Sequence, residues 1–234
     1  MCKHRFTLAG LDVDRGLLLR FADSFQKLNA SVQTVHLGPG ENGNNPEINA
    51  CLVHLTRAAV LRLKRSPWFQ PRRTLIYGVG GASEVAQFAG LGINALLDGN
   101  SDASIRSAVE ATKAILSVGE RGRVPIATLV KIDAEGKTLT GITKNVGVGG
   151  MAVRLFRNAS LPHEITVNLV LPYAGSFRVI ASPHWYSGRL VGLRFRPLIE
   201  ETRLENWVKE YSMLGCKTAE IVRGTRALAG AFRA

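Results

Sequence analysis

The spacing of apolar residues changes halfway along this chain of 234 residues, and that change most narrowly limits the fold. In the first half, five short apolar segments alternate with five segments in which apolar residues recur at helical spacing. Such alternation predicts a parallel five-stranded α/β sheet that is covered by helices on both faces. The predicted strands are Phe6–Leu11, Ser31–Leu37, Ala50–Leu55, Thr74–Val79 and Ile93–Leu97.

The second half has shorter, more closely spaced strands, separated by turns such as Glu135-Gly136 and Ser187-Gly188. This pattern predicts a small antiparallel β-barrel. A C-terminal helix follows from Glu200, and its apolar stripe is expected to pack on protein rather than on lipid. The predicted strands are Ile126–Ile132, Leu139–Thr143, Met151–Leu155, Ile165–Val170, Phe177–Ala181 and Gly192–Phe195, and the stripe is Leu204, Trp207, Val208, Tyr211 and Leu214.

A polar, glycine-containing segment at 117–122 separates the two patterns. We therefore predict one domain at 1–118, a barrel domain with its trailing helix at 119–216, and a basic amphipathic tail at 217–234. The tail is a candidate for forming a homodimer.

The chain has 30 Lys and Arg against 18 Asp and Glu, a net charge of +12, and residues 119–234 alone carry +8. This surplus favours an anionic partner such as a nucleotide, a nucleic acid or an acidic protein. Three distant cysteines without a CxxC motif predict no structural zinc site. The sequence has no signal peptide and no apolar run long enough for a membrane span, so we expect a cytoplasmic protein.

Three motifs follow one another in the second half. It opens with Arg121-Gly122-Arg123-Val124-Pro125 and continues with Asn145-Val146-Gly147-Val148-Gly149-Gly150. It closes with His184-Trp185 and then Gly192-Leu193-Arg194-Phe195 before a helix. In this order the motifs resemble the PilZ domain family, which has an Arg-x-x-x-Arg segment, an Asp/Asn-x-Ser-x-x-Gly motif and a G-x-x-F ending. The resemblance implies a six-stranded barrel that binds cyclic di-GMP, a bacterial second messenger.

The resemblance also implies the ligand-binding residues. Gly119 stands where the family has its first arginine and Gly147 where it has serine, so one guanidinium and one hydroxyl are missing. Arginine forks bind phosphate and guanine edges, and we therefore expect weaker binding unless Arg121 compensates. Gly147→Ser would then add a donor, provided that this glycine does not need a positive φ. We expect Trp185 in the barrel core. The candidate ligand-binding residues are Arg121, Arg123, Asn145, Gly147 and Gly150.

The first half resembles the receiver domain of response regulators, through its βα alternation and the run Ala89-Gly90-Leu91-Gly92-Ile93-Asn94-Ala95-Leu96. Active receivers place an acidic pair after the first strand, Asp after the third, Ser or Thr after the fourth and Lys after the fifth. Here Asp12 and Asp14 stand near the acidic pair, but the other three positions are His54, Gly78 and either Asp98 or Gly99. We therefore expect a degenerate pseudo-receiver that takes up no aspartyl phosphate.

Two further features of this half have ordinary structural explanations. His54 is either a phosphohistidine or, as we favour, a partly buried histidine that closes a strand. The run Gly78-Val79-Gly80-Gly81 resembles a phosphate-binding turn but lacks the full GxGxxG motif.

The sequence contains no Ser-His-Asp, Cys-His or paired-carboxylate arrangement, so we expect no enzyme, no catalytic residues and no metal. The favoured interpretation is a bacterial signalling adaptor that binds cyclic di-GMP and relays it to a protein partner as residues 117–125 become ordered. One alternative is a PilZ-like interaction platform that has lost the nucleotide. A nucleic-acid-binding protein is a further alternative that rests on charge alone, without a helix-turn-helix, RNP or zinc pattern.

Overall fold

The computed structural model describes residues 6–26, 32–37, 48–71, 73–97, 101–116, 122–196 and 202–211. The first half contains one parallel sheet in the order β2-β1-β3-β4-β5, which is a doubly wound order. The inner strands β1, β3 and β4 are almost entirely buried, as parallel strands covered on both faces require, whereas the edge strand β2 is mostly half-buried or exposed. The five predicted strands are confirmed, at β1 (Phe6–Leu11), β2 (Val32–Leu37), β3 (Ala50–His54), β4 (Leu75–Val79) and β5 (Ala95–Leu97).

Four α-helices and one 3₁₀ turn cover this sheet within the described residues, rather than five α-helices. Side-chain caps fix where three of the helices begin. Asp14 accepts the Leu17 N–H (2.9 Å), Thr56 the Ala59 N–H (3.2 Å) and Ser101 the Ser104 N–H (3.2 Å). The elements are α1 (Arg15–Gln26), α2 (Arg57–Arg65), α3 (Ala82–Gln87), the 3₁₀ turn (Ala89–Leu91) and α4 (Asp102–Leu116).

The second half closes into an antiparallel barrel, as predicted. The closed ring has six strands in the order β8-β7-β10-β11-β12-β9, with β9 returning to β8, and the two-residue β6 adds to β8. The strands are β6 (Arg123–Val124), β7 (Leu129–Ala134), β8 (Lys137–Gly147), β9 (Gly150–Leu155), β10 (Ile165–Leu171), β11 (Gly175–Ser187) and β12 (Leu190–Phe195).

Two differences between the predicted and the observed strand bounds concern β7 and β8. The strand expected from Ile126 begins only at Leu129. The Thr143 hydroxyl takes the place of ladder partners before it, since it donates to the Ile126 carbonyl and accepts the Thr128 N–H (2.9 Å). β8 also runs four residues past the predicted end, so Asn145 and Gly147 lie within a strand.

A fifth helix, α5 (202–211), packs on the barrel core as expected for its apolar stripe. Leu204, Trp207, Val208 and Tyr211 are all buried there, and the Trp207 indole N–H donates to the Pro172 carbonyl (3.0 Å). Leu214 and the tail at 217–234 lie outside the described residues. No helix in the described ranges is long and apolar enough to cross a membrane.

The two halves share an apolar cluster. Ala127 and Ile142 of the barrel are buried among residues of the first half, including Leu91 and Ile93. The Ala127 N–H donates to the Ile93 carbonyl (2.8 Å). The two sheets are separate, but their cores meet here. The predicted domain ranges remain a prediction, and the predicted boundary at 117–122 falls mostly outside the described residues.

Removing the Ile142 side chain should loosen this contact between the halves. We expect Ile142→Ala to lower the free energy of unfolding by about 2–5 kcal/mol, because the substitution leaves a cavity in a buried cluster. Ile180 on β11 is 45% exposed, so Ile180→Ala is a matched control that should have little effect. Urea denaturation measures both. An equal decrease in the free energy of unfolding for the two variants would contradict the conclusion that Ile142 belongs to a cluster shared by the halves.

Candidate functional site

A row of paired residues crosses four strands on the outer face of the barrel. Directly opposed residues on antiparallel strands face the same side of a sheet. The two ends of the row are exposed arginines, and its two middle positions have no side chain. The two arginines are therefore separated by no more than about 14 Å along the sheet, three strand spacings. The row is Arg123 on β6, Gly147 on β8, Gly150 on β9 and Arg194 on β12.

A second row lies next to the first on the same face. It too has small residues at its centre, with an amide at one end and an indole at the other. We call the four central residues of the two rows, Gly147, Gly150, Ala152 and Gly192, the small-residue floor. The second row is Asn145 on β8, Ala152 on β9, Gly192 on β12 and Trp185 on β11.

Close packing requires the glycines of this floor. A Cβ on Gly150 would lie 2.2 Å from the Leu193 carbonyl oxygen, and one on Gly192 would lie 2.1 Å from Nε1 of Trp185. Glycine permits such approaches because it has no side chain. The Trp185 ring therefore lies directly against the Gly192 backbone.

Asn145 carries an unused acceptor. Its Oδ1 is buried and accepts no hydrogen bond from any described residue. Buried polar atoms are normally paired, because leaving one unpaired costs about 1–3 kcal/mol. A donor from outside the chain could pair with this oxygen once the Asn145 side chain turns toward the surface.

A pocket of about 210 Å³ opens on this face, and both arginines of the first row contribute to its wall. Its walls include Arg123, Arg194, His184 and Trp185, together with the Gly149 turn. Pairing between β11 and β12 shifts register between Pro183 and Trp185, so His184 occupies a β-bulge. Bulges re-aim side chains and are common beside functional sites.

The structure corrects and extends the predicted site. Trp185 was expected in the barrel core, but it is 38% exposed, because the bulge and Gly192 hold its ring at the surface. The row brings Arg123, Gly147 and Gly150 together, with Asn145 in the adjacent row, whereas Arg121 lies outside the described residues. The motif comparison did not identify Arg194 or His184 as site residues. Alternation along Leu193-Arg194-Phe195 is the signal that places Arg194 on the outer face.

The receiver-like positions of the first half have other structural roles. Asp12 forms an ion pair with Arg62 of α2, and Asp14 caps α1. His54 ends β3 and is exposed rather than partly buried. Asp98 and Gly99 lie outside the described residues.

The carboxylate of Glu84 occupies the turn at Gly78-Val79-Gly80-Gly81, which resembles a phosphate-binding loop. Glu84 accepts the Gly81 N–H (3.0 Å) and the Ser83 hydroxyl (2.8 Å). The Ser83 hydrogen bond, followed by the Glu84 backbone N–H, holds the pKa of this carboxyl below its ordinary value. The carboxylate is the anion that satisfies the first turn of α3, so this turn offers no phosphate site.

No protein-family model matches this chain, and no curated protein matches it. Several solved structures are similar to part of it. The PilZ domain of CeSA from a cellulose-synthesising bacterium is 18% identical, with 37% of this chain and 94% of that chain covered and a TM-score of 0.32. The PilZ domain with c-di-GMP of YcgR from Escherichia coli is 16% identical, with 44% and 88% covered and a TM-score of 0.31.

A third similar structure is the inhibitor of motility MotI/DgrA from Bacillus subtilis, which is 16% identical and has a TM-score of 0.35. The match covers 39% of this chain and 49% of that one, so the chain spans about half of its length. The solved structures similar to this chain include PilZ domains.

The geometry reverses the expectation for Gly147→Ser. Gly147 has no positive φ, but a Cβ there would lie 2.7 Å from the Gly122 carbonyl oxygen and 2.9 Å from Cγ of Arg123. We expect Gly147→Ser to displace β6 and cost about 1–3 kcal/mol of stability through overpacking. Gly149→Ser is the control, because no described atom lies within 4 Å of its Cβ position. Thermal denaturation compares the two, and an unchanged Gly147→Ser melting temperature would contradict this geometry.

The first half should take up no aspartyl phosphate. Asp12 is engaged by Arg62, and the acceptor position holds a histidine. Beryllofluoride with Mg²⁺ should therefore leave the amide NMR spectrum of the protein unchanged. A Mg²⁺-dependent shift centred on Asp12 would show that this conclusion is wrong.

Proposed function

We propose that this chain is a bacterial signalling adaptor that binds cyclic di-GMP on the outer face of its barrel and relays binding to a protein partner. The observation that carries the proposal is the frame around the small-residue floor. Two guanidinium groups, one unpaired amide oxygen and one surface indole surround a floor without bulky side chains. The motif resemblance in the sequence supports the same ligand.

Each group in the frame suits one part of a cyclic dinucleotide. Arg123 and Arg194 present planar forks that bind phosphate or the O6/N7 edge of guanine bidentately. The exposed Trp185 ring offers a face on which a base can stack. Oδ1 of Asn145 accepts hydrogen bonds, and the Watson–Crick edge of guanine supplies donors. Arg194 thus supplies a second guanidinium where Gly119 leaves the family motif without one.

The size of the pocket defines how such a ligand would bind. A volume of about 210 Å³ is below the 300–1,000 Å³ typical of sites that enclose a drug-sized ligand. We infer that the pocket, whose wall contains both Arg123 and Arg194, takes one half of the dinucleotide, while the other half lies over the rest of the floor. This partial enclosure is consistent with modest affinity.

The relay would begin at β6. Arg123 is exposed, but the next residue, Val124, is buried in the barrel core and pairs with Val146. A ligand that holds Arg123 would therefore also hold β6 on β8, next to the segment that joins the two halves. We infer no catalytic step and a cytoplasmic location, where a bacterial second messenger acts.

The interaction-platform alternative also has an observation in its favour. Trp185 and its neighbour Tyr186 are both exposed on the β11 strand, at 38% and 47%. Exposed aromatic residues are common in protein interfaces. In this alternative the outer face that carries Trp185 contacts a protein directly and no nucleotide is involved, whereas Tyr186, opposite Val191, lies on the other face of β11.

Calorimetric titration with cyclic di-GMP at low salt tests the proposal. Arg123→Ala and Arg194→Ala should each weaken binding about tenfold or more, because a charged hydrogen bond contributes roughly 1.5–3 kcal/mol. Arg178→Ala is the matched control, since Arg178 is exposed on β11 outside the two rows and its loss changes the net charge equally. Its binding should stay within about twofold of the original protein.

Other outcomes would contradict the proposal in distinguishable ways. No binding by the unmodified protein would favour the interaction platform. Equal weakening by all three variants would show that charge alone attracts the ligand. Tighter binding of single-stranded nucleic acid than of cyclic di-GMP would favour the nucleic-acid alternative.

A further inference from the structure

A second cavity lies between the two halves, where the outer face of β8 and β9 meets α4 and β5. Its volume is about 240 Å³, and α4 and β5 form one side while β8 and β9 form the other. The side chains of α4 that face the barrel here are small, mainly serine and alanine, so the helix and the strands do not fill the space between them. The polar residues of its wall include Ser101, Ser104, Ser107, Thr143, Lys144 and Arg154.

A β-bulge directs a cation into this cavity. Pairing between β8 and β9 shifts register between Thr143 and Asn145, which leaves Lys144 as the extra residue. Its ammonium group crosses to the other half and donates to the Ser107 hydroxyl of α4 (3.0 Å). A bulge costs ladder pairing, and here it brings a positive charge to the contact between the halves.

The electrostatics of the cavity are one-sided. Lys144 and Arg154 both line it, whereas no acidic side chain among the described residues does. Burial, and to a lesser extent the charge of Arg154, lowers the pKa of Lys144 below its ordinary value. Ser101 caps α4 at the same wall, so the positive end of the helix dipole adds to the two cations. All three would attract a bound anion.

We propose that this interdomain cavity binds a small phosphate-bearing anion, either inorganic phosphate or a small phosphomonoester. The two cations would hold the phosphate, and the α4 hydroxyls would donate to its oxygens. Because the cavity is smaller than sites for drug-sized ligands, a whole dinucleotide does not fit it. The proposal is independent of cyclic di-GMP binding, because the two sites share no lining residue.

Titration of the full chain at constant ionic strength tests this site. Inorganic phosphate and glycerol phosphate are each titrated by calorimetry, with chloride balancing the ionic strength. We expect saturable binding of at least one of them, and the tighter one identifies the source of the phosphate group. Absence of saturable binding for both would overturn the proposal.

Variants locate the site. Lys144→Met should weaken phosphate binding about tenfold or more, because it removes the charge while keeping the length of the side chain. Lys131→Met is the matched control, since Lys131 is exposed on β7 and its loss changes the net charge equally. If Lys144→Met does not fold, Ser107→Ala should still weaken binding severalfold.

The barrel arginines provide the decisive comparison. Arg123→Ala should leave phosphate binding unchanged, even though we expect it to weaken binding of cyclic di-GMP. Loss of phosphate binding in Arg123→Ala, or its retention in both Lys144→Met and Ser107→Ala, would place the anion elsewhere and overturn the proposal.

Discussion

Two close backbone approaches at glycines, of β9 to β12 at Gly150 and of β8 to the start of β6 at Gly147, are the constraint on which the barrel face depends. At Gly150 the space beside the backbone is occupied by the Leu193 carbonyl, and at Gly147 by the backbone of residue 122. Pairing through these positions closes the ring and adds β6 to its edge. The same pairing fixes Arg123 and Arg194 on either side of a surface without side chains. The strand pairing that closes the barrel therefore also positions the residues of the site.

Two β-bulges direct polar side chains to positions that regular strand pairing would not give them. The bulge in β11 re-aims His184 toward the arginine pocket, and the bulge in β8 sends Lys144 toward α4. Lys144 directly precedes Asn145 in the β8 bulge. Lys144 faces the other half of the molecule, and Asn145 faces the proposed nucleotide site.

The sequence was most informative where one local pattern decides the structure. Continuous apolar runs located β1 without error, and the change in spacing separated the parallel sheet from the barrel. It was least informative where a distant residue decides. Nothing near Ile126 shows that the Thr143 hydroxyl replaces its ladder partners, and nothing near Trp185 shows that Gly192 lies beneath the ring. Strand register, which brings Arg194 into line with Arg123, depends on pairing between distant segments and cannot be read from either segment alone.

The burial of Ile142 among residues of the first half has a consequence for how such a chain can evolve. A segment that is exchanged between genes must bring a complete core with it, because a severed core exposes apolar surface to water. Here the barrel contributes Ala127 and Ile142 to a cluster that the first half mainly builds. Recombination at the boundary would therefore expose apolar surface to water on both products. A substitution on one side of this contact therefore restricts which residues the other side can accept.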